Sequence, residues 1–187
     1  MTAALITGPA LEPVTLEEAK AHLRLDGEDD EAWLAQVIAT ARRHVESATR
    51  RVLIGQEWRL WLDAWPVSGV LRVPVVPLIA IDAITIYDAD GEPHVAAPET
   101  YSVDKASIPA RVRFETPPAP GLALNGIEID LTAGYGDEAD DVPSPLRHAI
   151  LMLAAHWYEY RGLGETAEAT TPAGFDALVA PYRVLKL

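Results

Sequence analysis

The apolar and polar positions of the chain change period twice. From residue 15 to about 54 the apolar side chains recur at steps of three and four; from 56 to about 136 they alternate; from 144 the helical step returns. The first run opens at Thr15 with Glu18 three residues later, the spacing of a capping box in which hydroxyl and carboxylate each satisfy a free backbone amide. A short helix follows, and Gly27 is its expected stop. A longer helix is expected over about 29–54, because Leu34, Val37, Ile38, Ala41, Val45, Ala48 and Val52 line one face. Glu28, Asp29, Asp30 and Glu31 stand at its positive end, while Arg42, Arg43, Arg50 and Arg51 lie toward its negative end and Gly55 follows it.

Alternation begins at Gln56. In EWRLWLD, Trp58, Leu60 and Leu62 share one face of a strand and Arg59, Trp61 and Asp63 the other, and ITIYDADGEPHV reads as strand, Asp90-Gly91 turn, strand. Further strands are expected near 71–73, 101–103, 111–114 and 127–132, punctuated by Pro74, Pro77, Pro98, Pro109, Pro117, Pro118 and Pro120. Ser144, read as a cap before Pro145, opens a helix over about 144–161. Leu146, Ala149, Ile150, Leu153, Ala154, Trp157 and Tyr158 form its stripe, and Leu151, Met152 and Ala155 carry apolar surface round much of the rest. That distribution fits either a central core helix or a contact with another subunit. Residues 162–174, GLGETAEATTPAG, read as a linker, followed by a short helix from Phe175 to Val179 and an apolar-basic tail, Tyr182 to Leu187. The predicted fold is α+β: one domain over 1–187, with a helical core and an antiparallel β-unit inserted at 56–136.

Composition narrows the function. A chain of 187 residues can bury about 70% of its unfolded surface, enough for one sound core. The absence of cysteine excludes disulfides, thiolate nucleophiles and Cys-type metal sites. There are 15 Lys and Arg against 28 Asp and Glu, a net charge of -13. A surface that grips phosphate needs clustered cations to release counterions, so this balance argues against tight nucleic-acid binding; carboxylates confer solubility or repel a polyanion. The opening MTAALITGPALEPV has no basic start or full-length apolar run, and no later stretch approaches 18 uninterrupted apolar residues, so a soluble, unexported protein without a membrane span is expected.

The motifs nominate no chemistry. A calcium loop over the acidic run would need Gly where Glu31 stands and a bidentate Glu where Val37 stands. His148 and His156 stand eight residues apart on one helix, about 12 Å along its axis and too far to share a metal. Gly134-Tyr135-Gly136 lacks a third glycine at Ala139, and Asp137, Asp140 and Asp141 would oppose a pyrophosphate. No nucleophile elbow, zinc-protease or phosphate-loop motif occurs. No catalytic residue, metal or cofactor is expected.

The ordered set of segments PALEPVTLEEAKAHLRLDGEDDEAWLAQVIATARRHVES, RVLIGQEW, ITIYDADG, TAGYGDEADDVPSPLRHAILMLAAHWYEYR and APYRVL resembles the head-tail connector, or adaptor, proteins of long-tailed phages and gene transfer agents. The resemblance covers most of the chain and is poorest over 96–123 and 162–174. It implies a structural, non-enzymatic subunit made in the host cytoplasm. Its copies form a ring, probably a dodecamer in family terms, docked beneath the portal protein in the particle neck. The ring extends a DNA conduit, through which DNA passes without specific binding, and offers a platform to a head-tail stopper or other neck protein.

In the family the C-terminal segment engages the portal. The resemblance therefore implies portal binding by Phe175, Leu178, Val179, Tyr182, Arg183, Val184, Leu185 and Leu187, in a segment expected to order on binding. A frayed terminus, or a helix docked on its own subunit, is the alternative. Trp58, Trp61, Leu151, Met152 and Trp157 are candidates for subunit contacts, as surplus apolar surface that a ring can use. Two other functions fit the pattern: another ring-forming neck or tail-completion protein, and an enzyme or small-molecule-binding protein with a pocket in the β-unit.

Overall fold

The computed structural model of the chain describes residues 1–27, 29–160 and 171–184. It is a mixed α+β fold with two compact units, one formed by residues 1–10 and 55–136 and the other by 11–54 and 137–187. The strands are β1 (Thr2–Thr7), β2 (Gln56–Leu62), β3 (Val70–Arg72), β4 (Leu78–Tyr87), β5 (Pro93–Val95), β6 (Tyr101–Asp104), β7 (Arg111–Phe114) and β8 (Ile127–Ala133). The helices are α1 (Leu16–Leu23), α2 (Glu31–Thr49), α3 (Ser144–Glu159) and α4 (Phe175–Val179).

In the first unit every strand pairing is antiparallel. Five strands run in the order β1-β2-β8-β4-β5, and a second sheet of three runs β3-β7-β6. The alternation read in the sequence becomes a buried face: Leu60 stands opposite Ile129 and Leu62 opposite Ile127, while Ile84 and Ile86 flank the same two isoleucines from β4. Val112 and Phe114 bury the inner side of β7 and leave Arg111 and Arg113 outside. Trp65 and Tyr101 pack on the Phe114 ring, with centroids 4.8 and 5.2 Å away. The hairpin from β4 to β5 turns through Asp90 and Gly91, and Gly91 has φ 83°, a conformation glycine adopts without strain. Gly121 lies against this turn so closely that a Cβ would collide with the backbone of Asp88 and Ala89.

The alternating pattern missed β1. Nearly all its residues are exposed, so it has no buried face to impose alternation; backbone pairing with β2 holds it.

In the second unit α1 starts at the Thr15–Glu18 capping box, with both reciprocal hydrogen bonds made. It stops earlier than Gly27 suggested, because Arg24 takes the left-handed conformation (φ 57°) and closes the last turn. The long helix is shorter than 29–54 for the same reason. Arg50, also at φ 57°, caps it after Thr49, and Val52, Leu53 and Ile54 are buried in the non-helical segment that follows. At α3 the cap position is Pro143 rather than Ser144, which is the first helical residue and makes no side-chain cap; the helix ends at Glu159, not 161. Leu34, Val45, Leu146, Ile150 and Leu153 are fully buried, as the stripes required.

Candidate functional site

The portal-binding segment is described only as far as Val184; Leu185 and Leu187, with linker residues 162–170, lie outside the described residues. What is described is docked on its own unit. Phe175 and Val179 are 1% and 0% exposed, and the Phe175 ring lies 5.5 Å from His44 of α2, which itself meets Trp157 of α3 edge-on at 5.7 Å. Beyond α4, the Arg51 side chain donates to the Tyr182 carbonyl (2.6 Å) and the Val184 amide to the Thr49 carbonyl (2.9 Å). Free backbone groups at the end of α2 are thereby satisfied by the tail. The expectation that this segment orders only on binding is corrected as far as residue 184, because its two largest anchors already fill the unit. Leu178, Tyr182 and Val184 are half-buried and Arg183 is exposed and paired with Asp176 (2.5 Å).

The helices beneath are fastened by shared carboxylates. Arg42, its side chain only 5% exposed, bonds Glu12 and Glu46, each at 2.7 Å. Burial opposes the charge on Arg42, but the hydrogen bond to Glu12 and the fields of both carboxylates outweigh it and raise its pKa. Glu18 serves twice, in the capping box and as acceptor from Arg147 (2.5 Å), which also reaches Asp140 (2.6 Å). The acidic run is likewise put to structural use: Glu31 pairs with Lys20, and Asp30, at the cap position of α2, accepts from the Tyr158 hydroxyl (2.5 Å) instead of capping.

The subunit-contact candidates fall in both units. Leu151, Met152 and Trp157 are half-buried on α3, and the Met152 methyl lies 3.9 Å from where a Cβ on Gly174 would stand. Trp58 and Trp61 are half-buried on opposite faces of β2. The Trp61 indole donates to Glu128 (3.2 Å), beside the Arg59–Asp130 pair, whereas the Trp58 indole nitrogen is buried without a partner. Among the described residues no group of three or more His, Asp or Glu side chains could hold a metal, and no helix is long and apolar enough to cross a membrane. His22 and His148, far apart in sequence, meet edge-on at 6.2 Å and recruit no third ligand.

These surfaces are packing and pairing surfaces, and the comparisons agree. Residues 13–113, more than half of the chain, match the family described as Phage gp6-like head-tail connector protein. The chain belongs to that family. As a connector it is a structural protein, not an enzyme. Connector-like solved chains extend the likeness over the full length. One, from the neck of an empty gene transfer agent (GTA) particle with C6 symmetry, is 27% identical with TM-score 0.83. Another, from the virion of a native GTA particle, is 28% identical with TM-score 0.81, and a third, from the neck of a native GTA particle with C12 symmetry, is 27% identical with TM-score 0.77. Each covers 100% of this connector and 97% of the other chain. No curated protein matches the sequence.

Sequence reasoning placed the connector's apolar stripes and missed its ties. Arg51, Thr49 and His44 hold the C-terminal segment, and no local pattern announces a contact across such a separation. The only available signal was the pairing of a basic helix end with an apolar tail.

Proposed function

We propose that the chain is the head-tail connector subunit of a phage-like or gene transfer agent particle: copies form a ring in the neck beneath the portal, extend the DNA conduit and carry the next neck protein. The observation that supports this most is full-length likeness, at 27% identity, to a chain from a GTA neck with C12 symmetry. In this reading the helical unit is the body of the ring subunit and the β-unit is the insertion it carries. The acidic balance of the chain, -13, suits a conduit that DNA crosses without being held.

The portal-docking surface is the outward side of the C-terminal segment. Leu178, Tyr182, Arg183 and Val184 offer it, with Leu185 and Leu187 beyond, while Phe175 and Val179 hold its position from inside. Trp61, Leu151 and Met152 have surface left for neighbouring subunits, and Trp58 and Trp157 support them. The test is a reconstruction of the particle neck with this chain traced, alongside particles carrying Tyr182→Ala with Arg183→Glu. A ring under the portal, and tailless heads from a variant that melts as the wild type does, are the expected results. A chain located elsewhere in the particle overturns the function; a variant that still captures the portal overturns the docking surface alone.

A further inference from the structure

Strand β1 is an open edge that nothing in its own unit covers. It is terminal in the five-stranded sheet, so one side pairs with β2 and the other leaves its amides and carbonyls unpaired. Ala3 stands opposite Leu60 and Leu5 opposite Trp58, so these two continue the core face of the sheet. That face reaches β1 uncovered: Leu5 is 48% exposed and Ile6 beside it 53%. The run TAALIT holds no charge, proline or glycine. Free edges are ordinarily blunted by such residues, because an apolar, flat, uncharged edge recruits another strand.

The opposite edge of the same sheet is also open. β5 is terminal there, all three of its residues are exposed, Val95 by 69%, and it carries no acidic residue. An apolar groove of about 380 Å³ runs beside it, lined by Val95, Ala96, Ala97, Phe114 and Pro118 among others. A closed ring of more than two copies needs two different, complementary surfaces on each subunit, one for each neighbour. The two ends of one sheet meet that requirement. Both are also free of carboxylates in a chain of net charge -13, so close approach there meets less repulsion than elsewhere.

We infer that β1 of one copy adds to the β5 edge of the next, carrying the sheet from subunit to subunit around the ring. The occupant of the β1 edge is thus a second copy of this chain. The inference rests on the ring reading above.

Because the chain has no cysteine, cross-linking tests it cleanly. Leu5→Cys is combined in turn with Pro93→Cys, His94→Cys and Val95→Cys, covering the possible registers. Assembled particles treated with a short thiol cross-linker should then give, for at least one pair, a ladder of covalent multiples that the single-cysteine chains lack. Independently, Leu5→Lys with Ile6→Lys should leave the melting temperature of the free chain near the wild-type value and abolish the ring. A visible ring with no ladder from any pair, a ring built normally by the lysine variant, or cross-links from Leu5→Cys only to another neck protein each overturn the inference and leave the ring reading intact. Particles whose necks contain no copies of this chain overturn both.

Discussion

Asp104 carries much of the turn between β6 and β7 on one carboxylate. It accepts from the Ala106 and Ser107 amides (2.9 and 3.3 Å), the Ser107 hydroxyl (2.7 Å) and the Arg111 guanidinium (2.9 and 2.5 Å). The Ser107 hydroxyl first, then Arg111, lower its pKa from 3.8 to about 2. The folded value lies below the unfolded one, so the contribution is complete above the ordinary carboxylate value and is lost as pH falls from 3.8 through about 2. A carboxyl-detected NMR titration should give a midpoint near 2 for Asp104. Ser107→Ala should move that midpoint upward; an unchanged midpoint would mean the hydroxyl does not hold the charge.

Among the elements, α4 departs most from what its sequence suggests. Five residues are too few to form a stable helix in isolation, and the small-residue run before it reads as a tether. Yet Phe175 is enclosed between α2 and α3, so removing its ring opens a cavity rather than freeing a tail. Phe175→Ala should cost about 3–5 kcal/mol, as large-to-small changes in a core do, and lower the melting temperature followed by circular dichroism. Leu178→Ala, at a half-buried position, should cost clearly less. Equal, negligible losses from both would show that the segment adds nothing to the unit.

For the whole molecule, charge sets the conditions of assembly. Copies of net charge -13 repel at long range, and the screening length falls from about 10 Å at 0.1 M salt to about 3 Å at 1 M. The isolated chain should therefore associate weakly at low ionic strength and more strongly as salt rises, with ordered rings forming on a partner that offsets the charge. Sedimentation velocity across a salt series measures this. A tight closed ring at low ionic strength and sub-micromolar concentration would contradict it.

The sequence by itself determined the two regimes of period, the Thr15 capping box, the faces of β2, β4, β7 and β8, the stripes of α2 and α3, and the family. These are local properties: a buried face repeats every two or every three to four residues and leaves its mark wherever one side of an element meets a core. What repeats nowhere was left to the tertiary structure. β1 has no buried face and exists because β2 offers a pairing edge; α2 ends at Arg50 through a left-handed turn that its apolar stripe runs past. The C-terminal segment is anchored because His44, Thr49 and Arg51 wait for it at one end of α2. Such contacts join residues distant in sequence, so composition and period constrain them little, and only the packed chain decides which apolar side chains are spent within the subunit and which are left for its neighbours.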